Sequence, residues 1–363
     1  MSPPLGVRPV VNASATLTTL GGSLLAPPAV VAMAEAAGHF VDLPELQTRV
    51  GERIATLTGN EAAYVSSGAA AGITLAVAAC LAGPERIEAF PALDGIARNE
   101  VVLFRSQRNG YDYAVRQTGA RVVEAGATLD SLSPRTACVL WFAGTHYAEG
   151  APPIEEVVPV ARAAGVPVLV DAAAQIPPIS SLWHFTREVG ADAAIFSGGK
   201  GLRGPQSSGL VLGRRAIIDG CRAHGSPNHA IGRGMKVGKE ELAGLLAAVE
   251  WSLARDEPAL LKAYEARVAN WLRGLVDLPG VHVERGYPSE AGQPHGRAIV
   301  TLSPASGWTR DELVAALWAD EPRIAVGVVG TDSLALNPQT LEPGEDVVVL
   351  DALLHHLRSR NAT

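Results

Sequence analysis

From about residue 45 to 240 the chain alternates short apolar runs with helical patterns, and this constrains its fold more than any other feature. The strand-like runs are residues 62–65, 101–104, 121–124, 137–142, 166–170, 193–196 and 209–212. Helical patterns lie between several of them, as at 154–164. Runs so short and so uniformly apolar suit strands covered on both sides. The pattern predicts an α/β fold, a mostly parallel sheet with helices on both faces. At 363 residues the chain exceeds one ordinary domain, and its 47% hydrophobic content can fill more than one core.

The flanks differ in kind. Residues 1–45 are rich in Gly, Pro, Ser and Thr and read as an extended arm with a loop at Leu20-Gly21-Gly22-Ser23, followed by a helix from about Pro28. Residues 240–276 form one long Ala- and Leu-rich helical pattern. Beyond it, strand-like runs at 281–284 and 298–302 and helices at 309–318 and 347–358 predict a small α+β domain. The expected division is an arm and helix at 1–45, a large domain at 46–250 and a small C-terminal domain at 251–363.

Charge and cysteine usage narrow the function class. A net charge of -7 with only 18% charged residues argues against a nucleic-acid-binding surface, which would be basic. Cys80, Cys138 and Cys221 are odd in number and far apart in sequence, with neither a disulfide framework nor zinc spacing, which fits a reducing cytoplasm. The start lacks the basic and apolar segments of a signal peptide, and the most apolar stretch, 72–83, is too short to span a bilayer. The histidines show no metal-binding spacing, so no metal is expected.

Several strand-like runs end at residues that can carry chemistry. One leads into Ser197-Gly198-Gly199-Lys200-Gly201-Leu202-Arg203-Gly204-Pro205, where glycines let a planar group approach the backbone. A lysine attacks a carbonyl only when unprotonated, and burial or a nearby cation such as Arg203 favours that state. An earlier run ends at Asp171. A strand-end Asp followed by a glycine-flanked Lys suggests a pyridoxal phosphate (PLP) site, with Lys200 on the aldehyde and Asp171 on the ring nitrogen. The plain alternatives are a solvated lysine and an Asp that caps a helix. A phosphate-binding P-loop is excluded: Ala194 stands where that motif needs Gly, and Gly201 where it needs Ser or Thr.

Ser66, Ser67, Gly68 and Ala69 follow the run 62–65 and precede an apolar helical stretch. Free amides and the positive helix end there suit a phosphate. Gln107, Arg108, Asn109 and Tyr111 follow the run 101–104, and His146 and Tyr147 follow the run 137–142, both places where open sheets bind ligands. Arg233, Lys236 and Lys239 crowd a Gly-rich turn that reads either as an anion site or as a solvated loop before a helix. Arg297, Arg323 and Asn337 are candidates for holding a substrate carboxylate.

These motifs, in this order, resemble the fold-type I PLP-dependent enzymes, and within them the selenocysteine-synthase-like group. The stretches that carry the resemblance are Val11-Asn12-Ala13 through Leu20-Gly21-Gly22-Ser23, the Lys200 motif with Gly204-Pro205-Gln206, Lys236-Val237-Gly238-Lys239-Glu240-Glu241, and Leu336-Asn337-Pro338 with Leu341-Glu342-Pro343-Gly344-Glu345. The resemblance implies the fold-type I PLP-dependent transferase fold, with Lys200 and Asp171 as catalytic residues. It implies the Ser67-Gly68-Ala69 turn as part of the phosphate cup; Ser66, Gln107 and Ser197 are further candidate cofactor contacts, and Arg323 and Asn337 candidate substrate contacts. Gln107 departs from the His or aromatic residue that such enzymes often place over the ring. Selenium transfer on tRNA is not expected, because the chain is acidic and lacks the extra N-terminal tRNA-binding domain.

The implied activity is a cytoplasmic PLP-dependent lyase on a small amino acid, giving a 2-oxo acid and ammonia. It would act as a homodimer or larger homo-oligomer, without nucleic acid or membrane. Racemisation, aldol cleavage and transamination share the same residues, and a PLP-fold binding protein without turnover is the alternative of another class.

Overall fold

The computed structural model describes residues 4–359; within them the side chains of His146 and Ala148 lie outside the described set. The described strands, in chain order, are β1 Val10–Ala13, β2 Ala62–Ser66, β3 Glu100–Phe104, β4 Arg121–Ala125, β5 Thr136–Phe142, β6 Val168–Asp171, β7 Ala193–Ser197, β8 Gly209–Gly213, β9 Val281–Gly286, β10 Arg297–Leu302, β11 Arg323–Val329 and β12 Ser333–Leu336. The chain divides into two compact units, one of residues 25–255 and one of residues 1–24 with 256–363.

The larger unit is built on a seven-stranded sheet in the order β2-β8-β7-β6-β5-β3-β4. β8 runs antiparallel to both its neighbours, and the pairs β7·β6, β6·β5, β5·β3 and β3·β4 are parallel. β2 therefore points the same way as β7, and six of the seven strands end on one edge. The alternation along each strand explains the two cores. Val102 and Phe104, Val139, Val168 and Val170 point into one hydrophobic cluster, shared with the helices Leu43–Thr58, Ile154–Ala163 and Lys239–Leu253. Val101 and Leu103, Cys138 and Leu140, and Leu169 point into another, shared with the helices Ala69–Ala82 and Arg215–His224. β2, β3, β6 and β8 are buried throughout, while β4 at the edge is partly exposed, at Arg121 and Glu124. The sequence reading of a mostly parallel sheet covered on both faces thus describes this unit.

The smaller unit holds a five-stranded sheet in the order β1-β11-β12-β10-β9. Val11, Ala298, Val300 and Leu336 pack against the helices Glu257–Leu275, Arg310–Ala319 and Glu345–Ser359. Two local readings differ from this structure. The N-terminal arm contains β1, which pairs in parallel with β11 from Val10↔Arg323 to Ala13↔Val326. And the long helical pattern at 240–276 is two helices, Lys239–Leu253 and Glu257–Leu275. The second begins with its own cap, the Asp256 carboxylate accepting from the Ala259 N–H at 2.9 Å, with Pro258 in its first turn. The units divide at that cap, at 255/256, and at 24/25, where 250/251 and 45/46 were expected; residues 25–45 belong to the larger unit.

Candidate active site

Asp171 is the last residue of β6, and its register partners are Phe142 at the end of β5 and Ile195 on β7. Its backbone carbonyl accepts from the Ala143 N–H at 2.9 Å, and its carboxylate from the Ala173 N–H at 3.0 Å. Only 7% of the residue is exposed. Burial pushes the carboxyl above the ordinary carboxylate range, while the Ala173 N–H and the charge of Lys200 pull the other way. A carboxylate this buried calls for a cation, and a protonated ring nitrogen is one.

Lys200 lies in the turn that follows β7. Ser197 ends the strand, half-buried, and its N–H donates to the Ala173 carbonyl at 3.3 Å, tying this turn to the loop after Asp171. The glycines are required by close packing. A Cβ on Gly198 would sit 2.0 Å from Ser208 Oγ, one on Gly199 2.4 Å from Gln206 Cα, and one on Gly201 2.1 Å from the Ile176 carbonyl oxygen. The Arg203 N–H closes the turn on the Lys200 carbonyl at 2.9 Å, and its guanidinium lies over Trp251, 5.6 Å from the ring centre.

The turn after β2 lies on the same edge. Gly209 is the register partner of Ser66 on one side and of Ser197 on the other, so a single residue of β8 spaces the two loops. Gly68 takes a φ of 113° ahead of the helix Ala69–Ala82, whose N-terminus no side chain caps. Ser67, Gly68 and Ala69 are half-buried there. Ser66 differs from its expected part: it is fully buried and its hydroxyl donates to the Gly68 carbonyl at 2.9 Å, so it shapes the turn and leaves Ser67 as the hydroxyl beside the helix end.

Gln107 also differs. Its side chain is fully buried, and its amide accepts from the Phe142 N–H at 3.0 Å and donates to the Phe142 carbonyl at 3.1 Å. Its polar atoms hold two strand ends together. Arg108 pairs with Asp112 and Glu124. Tyr147 packs against Phe142 with ring centres 5.5 Å apart; the side chain of His146 lies outside the described residues. In the basic turn, Arg233 and Lys236 are exposed, Lys239 pairs with Glu240, and the Glu241 carboxylate accepts from the Gly238 N–H at 3.0 Å. The helix-entry reading describes what is seen there.

Arg323 and Asn337 belong to the smaller unit. Arg323 opens β11, with its guanidinium over Trp318 at 4.9 Å and a buried Nε that has no hydrogen-bond partner. Asn337 is fully buried, donates to Ser289 at 3.2 Å and Glu290 at 2.6 Å, and accepts from the Gln339 N–H at 2.9 Å. Among the described residues no group of His, Cys, Asp and Glu could hold a metal ion, and no helix is long and apolar enough to cross a membrane. Sequence reasoning missed Gly209, which sits in an ordinary-looking strand start and whose importance comes only from its two neighbours.

The strand-end Asp, the glycine-bounded Lys and the uncapped helix end fit the ring nitrogen, aldehyde and phosphate of PLP. No protein-family model matches the chain. A 5'-C-glycyluridine monooxygenase-decarboxylase of Streptomyces sp. is 34% identical over 371 residues, covering 95% of this chain and 89% of that protein. A D-glucosaminate-6-phosphate ammonia lyase of Salmonella typhimurium is 36% identical over 261 residues, 68% of each chain. An L-seryl-tRNA(Sec) selenium transferase of Moorella thermoacetica is 27% identical over 403 residues, covering 97% and 82%. A solved D-glucosaminate-6-phosphate ammonia-lyase superposes with a TM-score of 0.84 at 29% identity, covering 99% of this chain and all of that one. A serine palmitoyltransferase carrying PLP shares the fold, with a TM-score of 0.65 at 16% identity over 98% and 89%. The chain therefore belongs to the selenocysteine-synthase-like group of fold-type I PLP-dependent enzymes, and PLP is its cofactor.

Proposed function

We propose that this protein is a PLP-dependent lyase that performs α,β-elimination on a small amino acid and releases a 2-oxo acid and ammonia. The observation that carries the reading is the buried Asp171 carboxylate at the end of β6, tied through Ala173 to the turn that bears Lys200. The ammonia lyase relative at 36% identity supports the reaction type.

Bound at Lys200, PLP supplies an electrophilic carbon for the substrate amine and a ring that accepts an electron pair from Cα. Asp171 holds the ring nitrogen in its protonated state. The turn Ser67-Gly68-Ala69 and the helix behind it hold the phosphate. The Lys200 amine takes the Cα proton and returns it to the leaving group at Cβ as the Cα–Cβ double bond forms. The released unsaturated amine takes up water and loses ammonia. Arg323, whose Nε is buried without a hydrogen-bond partner, and Asn337 remain our proposed substrate contacts. We propose a homo-oligomer in the cytoplasm, the latter on three free thiols.

One observation favours a second reading. The monooxygenase-decarboxylase relative is matched over 95% of this chain, against 68% for the ammonia lyase. Oxidative decarboxylation would consume O2 and release CO2 from the same bound amino acid. The test is to load purified protein with PLP, record its visible band in wild type and Lys200→Ala, and screen D- and L-amino acids. Ammonia and 2-oxo acid formed without O2 uptake support the lyase. O2 uptake with CO2 release supports the second reading, and a band that survives in Lys200→Ala sinks the lysine assignment.

A further inference from the structure

The sequence offers Arg203 as a cation near the Lys200 amine. In the structure its guanidinium lies over the Trp251 ring, 5.6 Å from the centre. Its backbone takes a φ of 56°, a left-handed conformation that a residue with a Cβ rarely adopts. Among the described residues Leu5 and Leu93 are the other non-glycine positions with positive φ, and neither lies in the Lys200 turn.

This conformation reverses the chain behind Lys200. The Arg203 N–H reaches back to the Lys200 carbonyl at 2.9 Å, and the Gly204 N–H to the Gly198 carbonyl at 2.8 Å. Lys200 thus sits inside a loop closed by two nested hydrogen bonds, both set by the backbone at Arg203. The Arg203 carbonyl accepts from the Ala26 N–H at 2.7 Å, which ties the loop to the start of the helix Pro27–Ala37.

We propose that Arg203 is the positioning residue of Lys200, and that the Trp251 ring holds it in its left-handed conformation. The inference rests on the PLP site described above.

The surroundings of Trp251 suit that part. The Lys200 turn lies along one face of the helix Lys239–Leu253. A Cβ on Gly204 would be 3.1 Å from Leu245 and 3.3 Å from Ala248, and the Ser252 hydroxyl donates to the Leu202 carbonyl at 3.3 Å. Trp251 follows Ala248 by three residues and packs against Ala26, Ala29 and Ala248. Its ring is therefore anchored by both helices and offers the half-buried Arg203 a fixed surface. The attraction between a guanidinium and an indole is of the same order as the cost of a left-handed non-glycine residue, so the contact offsets the strain.

The test measures PLP binding by the visible band, and the visible circular dichroism of protein saturated with PLP, which reports how the bound ring is held. Arg203→Ala keeps the strained φ and loses the guanidinium. Trp251→Leu keeps an apolar side chain and loses the ring. Each is expected to weaken PLP binding by roughly 2- to 5-fold and to lower the dichroism per bound cofactor. Arg203→Gly adopts the same φ without strain, and Arg203→Lys keeps a cation for the ring, so both should stay near the wild-type affinity and dichroism. Trp251→Leu added to Arg203→Gly should weaken binding no further. Arg255→Ala removes the other guanidinium over this ring, 4.4 Å from its centre, and should leave binding unchanged. Arg203→Ala protein with wild-type affinity and dichroism overturns the inference. So does an Arg203→Gly protein that falls as far as Arg203→Ala, because the side chain itself would then matter and not the backbone it holds. Equal weakening in Arg255→Ala overturns it too. Wild-type protein with no lysine-dependent band overturns instead the site reading beneath it.

Discussion

The side-chain amide of Gln107 clamps the backbone of Phe142 at two points, accepting from its N–H at 3.0 Å and donating to its carbonyl at 3.1 Å. Gln107 follows β3 and Phe142 ends β5, neighbours in the sheet. The clamp extends the pairing of the two strands past their last regular rung, at the edge where Asp171 emerges.

Gln107→Leu leaves both Phe142 groups buried and unpaired. Each unsatisfied group costs about 1–3 kcal/mol, so urea unfolding should show a loss of roughly 2–6 kcal/mol, with Gln107→Glu intermediate because it keeps one acceptor. Equal stability of the leucine variant and wild type would show that the clamp contributes nothing.

Asp171→Asn should act in opposite directions with and without PLP. With PLP, loss of a charge-assisted hydrogen bond of about 1.5–3 kcal/mol should weaken binding by roughly 10- to 150-fold. Without PLP, the folded protein holds the Asp171 proton more tightly than the unfolded chain does, because burial raises this carboxyl from 3.8. Its contribution to stability is therefore lost as pH rises from that value through the raised one. PLP-free Asp171→Asn should be more stable than wild type at pH 7, and the gap should shrink on acidification. A gap that widens toward low pH would contradict the sign.

Gly199→Ala and Gly201→Ala place a Cβ 2.4 and 2.1 Å from backbone atoms of Gln206 and Ile176. Neither neighbour can rotate away, so the Lys200 turn must shift, and PLP occupancy at a fixed cofactor concentration should fall at least several-fold. At Gly234 a Cβ would meet no atom within 4 Å and the φ is not positive, so alanine should be tolerated there. Visible absorption at saturating and limiting PLP separates the two groups.

Asp256→Ala removes the cap of the helix Glu257–Leu275. The expected cost is about 0.5–2 kcal/mol in thermal or urea unfolding, with Asp256→Asn close to wild type. An alanine variant as stable as the asparagine one would mean that the Ala259 N–H finds another partner.

Much of the larger unit could be read along the chain because its strands obey short-range rules. Apolar runs such as Val101-Val102-Leu103-Phe104 are buried on both faces, and both the runs and the helices between them are visible within a few residues. The Lys200 turn was legible for the same reason, since its glycines answer packing constraints set close by. β1 and β11 were not, because neither alternates strongly and β1 finds its described pairing on β11, across more than three hundred residues of sequence. The helix break at Asp256 was hidden inside a continuous Ala- and Leu-rich pattern that a cap and a proline interrupt without changing its periodicity.

By itself the sequence determined the alternating α/β fold and singled out Lys200 and Asp171 as the candidate chemical pair, because residue type, order along the chain and flanking glycines are visible in it directly. Only the tertiary structure decided what polar side chains at the strand ends do. Ser66 bonds the Gly68 carbonyl, Gln107 holds β5, and Asn337 is bound to Ser289 and Glu290. The physical reason is that a buried polar group must find a partner, and which partner it finds is fixed by neighbours that the chain brings together from far away.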